Sequence, residues 1–114
     1  MSKIYKILPK AEWDAAQAAG VFAGSAVDLA DGFIHFSGPD TAQRTVELYF
    51  KGQAGLTLLT VEADALGEAL KWEASRGGAL FPHLFRPLKV DEVLAERTLA
   101  LDADGVPVLG DLSA

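Results

Sequence analysis

Leu56-Thr57-Leu58-Leu59-Thr60-Val61 is an almost unbroken run of Leu, Thr and Val. That is the pattern of a β-strand covered on both faces, and it belongs in the middle of a sheet. Upstream, Ile4-Tyr5-Lys6-Ile7-Leu8 is β-prone and ends at Pro9, which removes a ladder donor and closes a first strand. Downstream, Val93 to Leu101 alternates as a strand should. Asp102-Ala103-Asp104-Gly105 then turns the chain into Val106-Pro107-Val108-Leu109, predicting a hairpin with Pro107 at an edge.

Between these strands the apolar period changes. From Ala11 to Ala19 the residues are good helix formers, with Trp13 and Ala16 on one face and Gly20 as a stop. Thr41 to Phe50 sets Ala42, Val46, Tyr49 and Phe50 at helical spacing and ends near Gly52. Gly24 to Asp31 reads as an irregular connection. Phe33-Ile34-His35-Phe36-Ser37 alternates as a strand, with His35 on the face of Phe33 and Ser37. Asp64 to Leu66 makes a single turn, and Leu70 to Ala74 alternates, setting Lys71 and Glu73 opposite Leu70 and Trp72. Arg76-Gly77-Gly78 is a turn. The two prolines of Leu80 to Leu88 predict an apolar loop. The fold class is α+β with two short helices.

At 114 residues, 50% of them hydrophobic and 23% charged, the chain fits a single domain over residues 1–114 with one real core. The absence of cysteine excludes thiolate nucleophiles, cysteine zinc clusters and disulfide scaffolds. The start at Met1 shows no signal-peptide pattern, and no stretch approaches the roughly 20 apolar residues of a membrane span, so a cytoplasmic location without membrane contact is expected. A net charge of −6 with scattered Lys and Arg argues against nucleic acid as a partner and for a small molecule.

Candidate chemistry gathers around two histidines in apolar settings, His35 in Gly-Phe-Ile-His-Phe-Ser and His83 in Leu-Phe-Pro-His-Leu-Phe. Near one cleft they could bind a polar ligand or move a proton; alone, each suits a structural role satisfied by backbone. Ser37 would share a face with His35, although no nucleophile elbow surrounds it and it suits the cap of the following helix. Glu73 is either a solvated or Arg-paired strand residue, with Arg76 and Arg86 as candidate partners, or an acid that steadies cationic charge. His35, His83 and Glu73 lack the spacing of a metal motif, so no metal is expected. No phosphate-binding glycine loop occurs.

Taken together, Ile4-Tyr5-Lys6-Ile7, Trp13, Gly32 to Ser37, Gln43, Lys71-Trp72-Glu73 and Phe81 to Leu88 resemble a bacterial family catalogued as domain of unknown function 952, over about Ile4 to Leu99. That family looks like a compact relative of the ADP-ribosyltransferase superfamily, especially the tRNA 2′-phosphotransferase branch. Ile4-Tyr5-Lys6-Ile7 and Ile34-His35-Phe36-Ser37 match two of its strand motifs in order. The resemblance implies a small split mixed or antiparallel sheet, with NAD as a possible substrate in the cleft between its halves. It assigns catalytic roles to His35, Glu73 and His83, and ligand contacts to Tyr5, Ser37, Gln43, Phe81 and Arg86. Lys6 stands where that superfamily has a first-strand histidine, and a charged lysine cannot accept a hydrogen bond from a ribose hydroxyl. The implied activity is ribosyl transfer or cleavage on an NAD or ADP-ribose-type ligand. The alternative is a non-catalytic binding module that keeps the fold.

Overall fold

The computed structural model describes residues 2–74, 78–110 and 112. In chain order the elements are β1 (Lys3–Pro9), α1 (Lys10–Ala19), β2 (Val21–Phe22), α2 (Ala26–Asp31), β3 (Ile34–His35), α3 (Ala42–Tyr49) and β4 (Leu56–Glu62). A 3-10 stretch (Ala63–Ala69) leads to β5 (Leu70–Ala74), β6 (Leu80–Leu84) and β7 (Leu88–Lys89). A short 3-10 turn (Val90–Glu92) then leads to β8 (Val93–Leu99).

β4 is the central strand of a three-stranded sheet in the order β1-β4-β8, as its composition predicts. Its side chains divide by parity. Leu59 and Val61 enter one core with Ile4, Leu8, Trp13 and Phe22; Leu56 and Leu58 enter a second with Tyr5, Ile7, Ala42 and Val46. Each leucine fully removed from water contributes roughly 1.5–3 kcal/mol, so a strand apolar on both faces is stable only between two covering layers.

A second sheet, β3-β6-β5, meets the first through one bridge. The Tyr5 and Ser37 backbones exchange two hydrogen bonds, each 2.8 Å, and beyond them the sheets part. Every pairing of the named strands is antiparallel, which selects the antiparallel form of the α+β expectation.

Three expectations are corrected. Gly24 to Asp31 is not irregular: Ala26–Asp31 is a helix, so the α-helices among the described residues number three. Ser25 precedes it, the Asp28 carboxylate reaches back to accept the Ser25 N–H at 2.8 Å, and Gly32 ends it at φ 90°. Leu80 to Leu88 is not a loop: β6 lies between β3 and β5, and β7 pairs with β2. Pro82 is tolerated in that middle strand because its carbonyl, accepting the Phe36 N–H at 3.0 Å, faces the β3 side. The donor it lacks faces the same way, where β3 has already ended. Finally, the C-terminal hairpin reduces to the turn at Asp102–Gly105 and one bridge between Leu101 and Pro107. The expected turn at Arg76-Gly77 lies outside the described residues.

Candidate functional site

His35 on β3 and His83 on β6 are direct cross-strand partners, so both imidazoles leave the sheet on one face. Their ring centroids are 5.4 Å apart. Phe33 stacks on His83 at 4.2 Å and tilts against His35 at 4.6 Å, fixing both rings from one side. Both histidines line a hollow of about 520 Å³ at the place where the two sheets separate. β1 supplies Tyr5, Lys6 and Ile7 to its wall, β6 supplies Phe81, and Phe36 and Ser37 come from the segment after β3. Val27 and Asp31 of α2 and Thr45 and Tyr49 of α3 close its sides.

Behind His35 lies Asp28, only 2% exposed. Its carboxylate accepts from the Lys6 ammonium at 3.1 and 2.9 Å, from the His35 backbone N–H at 3.1 Å and from the Ser25 N–H. It also meets Nδ1 of His35 at 2.6 Å. Burial works against the Asp28 charge, but the Lys6 ammonium and the His35 and Ser25 donors outweigh it and hold the carboxyl below the usual carboxylate range. Burial dominates for Lys6, whose ammonium titrates below the ordinary lysine range despite Asp28. On its other edge, His35 brings Nε2 within 2.9 Å of the Asp31 carboxylate. Ionised carboxylates only accept, so serving Asp28 and Asp31 together takes an imidazolium with both nitrogens donating. A neutral ring keeps one of the two.

His83 is held differently. Glu73 on β5 is its diagonal neighbour, two residues beyond Lys71, which pairs with His83, and its Oε1 lies 2.8 Å from Nδ1. Glu73 does not line the hollow; it acts on the site through His83. Nδ1 therefore donates to Glu73, and the neutral ring leaves Nε2 as an acceptor. Among the described residues no group partners Nε2.

The other residues singled out from sequence fall on both sides of the hollow's wall. Ser37 does not cap α3; Thr41 takes the N-cap position, and the Ser37 hydroxyl pairs with Thr45 at 3.0 Å. Tyr5 and Phe81 line the hollow, with the Tyr5 hydroxyl donating to the Leu112 carbonyl at 2.7 Å. Gln43 lies outside, on the exposed face of α3, bonding Glu47. Arg86 is also outside, and instead of pairing with Glu73 it grips Glu92 through two bonds of 2.8 and 2.7 Å. Arg76 lies outside the described residues. Among the described residues no group of three metal-ligating side chains is assembled.

Sequence reasoning missed Asp28, Asp31, Thr45 and Tyr49. The first had a signal: Ser25-Ala26-Val27-Asp28 is a capping-box spacing, which marks a helix start and brings the acid back toward the strand that follows.

A family model described as "Protein of unknown function (DUF952)" matches residues 7–96. The crystal structure of protein CC0527 from Caulobacter crescentus is 68% identical and superposes with a TM-score of 0.94, the match covering 96% of each chain. The crystal structure of a double mutant of that protein is 66% identical with a TM-score of 0.94, again over 96% of each chain. Its solution NMR structure gives 68% identity and a TM-score of 0.88 over 97% of this chain and 96% of the other. A search of curated proteins returns no match.

Proposed function

We propose, from the premise that this chain belongs to the DUF952 family and from the site it carries, that it binds a ribosyl-bearing small molecule of the NAD or ADP-ribose type in the hollow and transfers or cleaves the ribosyl group. The observation that carries this reading is the pairing of His35 with His83 across one strand register, each backed by its own carboxylate. Two imidazoles with different partners can divide acid and base roles.

In the step this arrangement supports, the bond from the ribose anomeric carbon to its leaving base breaks and the electron pair departs with the base. The incoming water or hydroxyl oxygen forms the new bond and gives its proton to Nε2 of His83. Positive charge develops on the ribose meanwhile. The surroundings suit it: Asp28, Asp31 and Glu73 stand about the hollow against the one ammonium among its described lining residues, that of Lys6. A volume of about 520 Å³ falls in the range of small-molecule sites. The Ser37 and Thr45 hydroxyls and the rings of Phe36, Tyr49 and Phe81 offer contacts for a ribose and a flat base.

The fit to a whole dinucleotide is partial. Among the described lining residues Lys6 is the one lysine or arginine, and Asp28 already holds its ammonium. Its diphosphate would remain outside the hollow.

That engagement of Lys6 also supports a second reading, a binding module without catalysis. Incubation with NAD and ADP-ribose at millimolar concentration, followed by chromatography and a thermal-shift scan, separates the two. Consumption of ligand, reduced about a hundredfold or more in His83→Gln, supports the enzyme; stabilisation without turnover supports the module. Neither effect with any ribosyl ligand would refute both.

A further inference from the structure

Resting on the ribosyl reading above, we infer that the hollow selects a nucleoside-like ligand over a nucleotide. The part of the ligand that enters the hollow is uncharged or cationic, carries no phosphate, and gives a hydroxyl or N–H hydrogen bond to Nε2 of His83 until the incoming water or hydroxyl takes that place.

Two independent observations meet here. The first is the state of His83. The residue is 6% exposed and lines the hollow, with Nδ1 committed to Glu73. Among the described residues, no buried side-chain nitrogen or oxygen is sealed off without a partner. Nε2, which has no partner there, therefore keeps its access through the hollow. Because the Glu73 carboxylate can only accept, the neutral ring carries its proton on Nδ1 and presents a lone pair at Nε2. A ligand group facing it must donate. Glu73 is the positioning residue that sets this tautomer.

The second is the charge around the cavity, taken from every element that borders it. β1 contributes Lys6, neutralised by both oxygens of Asp28. α2 contributes that Asp28 and, on the wall, Asp31. β5 contributes Glu73 behind His83, and also Lys71, the exposed cross-strand neighbour of His83, which does not line the hollow. α3 contributes hydroxyls and rings instead of charge. A phosphate entering this space would lose its hydration and meet carboxylates, with no uncommitted ammonium or guanidinium among the described lining residues to replace the water. A neutral sugar or a cationic ring meets no such opposition, and a cationic ring gains from the carboxylates and from the faces of Tyr49 and Phe81.

The test uses the full-length, nitrogen-15-labelled protein. Long-range proton–nitrogen correlation on the free protein should show Nδ1 of His83 protonated and Nε2 bare, and Glu73→Ala should relax that preference. A protonated Nε2 in the neutral wild-type ring would overturn the donor requirement. The protein is then titrated with two matched pairs: nicotinamide riboside with its 5′-phosphate, and adenosine with adenosine 5′-monophosphate. The nucleoside of at least one pair should shift the His83 resonances at about tenfold lower concentration than its phosphate, with a gap that narrows as salt is added. Equal or tighter binding of the phosphate overturns the selectivity and leaves the ribosyl reading standing. No response to any of the four removes the ribosyl reading as well.

Discussion

Both carboxylate oxygens of Asp28 hold the Lys6 ammonium, at 3.1 and 2.9 Å, across 22 residues of chain. The pair lies in the interior, with Lys6 6% exposed and between the buried Ile4 and Leu8 in sequence parity along β1. Removing one partner of a buried pair leaves the other charged and dry, which typically costs about 3–5 kcal/mol. Asp28→Ala should fall in that range by urea denaturation, since Asp28 also satisfies Ser25 and His35. Lys6→Met should cost less, because Asp28 keeps those donors. A loss under about 1 kcal/mol for Asp28→Ala would show that the pair is not buried in solution.

Acid should expose the same linkage. The folded Asp28 carboxyl titrates below its ordinary 3.8, so its contribution is complete above that value and is lost as pH falls through the lower folded value. Glu92, held below its usual range by the Arg86 guanidinium, adds a smaller loss of the same sign. Lys6 contributes no alkaline loss of its own: its folded value lies below 10.5, so its burial penalty is relieved as pH rises toward that value. Urea midpoints measured from about pH 2 to 6 should fall steeply with acid in the wild type and less steeply in Asp28→Asn. Parallel curves would contradict the assignment.

Arg86 and Gln43 were candidates for ligand contact on the strength of a resemblance, and their positions give a sharper expectation. Arg86 pairs with Glu92 and Gln43 with Glu47, both outside the hollow. Arg86→Ala should therefore cost at most about 1 kcal/mol, as partly exposed ion pairs do. Neither Arg86→Ala nor Gln43→Ala should change ligand affinity by more than about twofold. A tenfold loss from either would place the ligand beyond the hollow described here.

The fold was legible wherever burial wrote a clear period. β4 reads as central because both its faces are apolar, and α1 and α3 follow from Trp13, Ala16, Ala42 and Val46. It was illegible where one local rule masked another. Pro82 argued against an inner strand, yet its missing donor faces the end of the two-residue β3. At the site, His35, His83 and Glu73 were visible as polar residues in apolar text, and the structure brings them into one connected group. Asp28 was hidden because its partners, Lys6 and His35, are joined to it by tertiary geometry; only the Ser25 spacing is local.

The hydroxyl pair of Ser37 and Thr45 gives a separate probe of the wall between β3 and α3. Ser37 is buried, and its Oγ lies 3.0 Å from Thr45 Oγ1, which in turn donates to the Thr41 carbonyl at 3.0 Å. Thr45→Val is nearly isosteric but removes a partner from a buried hydroxyl, so it should cost about 1–3 kcal/mol. Adding Ser37→Ala removes the stranded group, and the double variant should lose less than the sum of the two single losses by roughly 0.5 kcal/mol or more. Both hydroxyls border the hollow, so a ribosyl ligand that binds there should weaken with each change even where stability is recovered. Strict additivity in stability, with affinity unchanged, would mean that the hydroxyls neither bond each other nor meet the ligand.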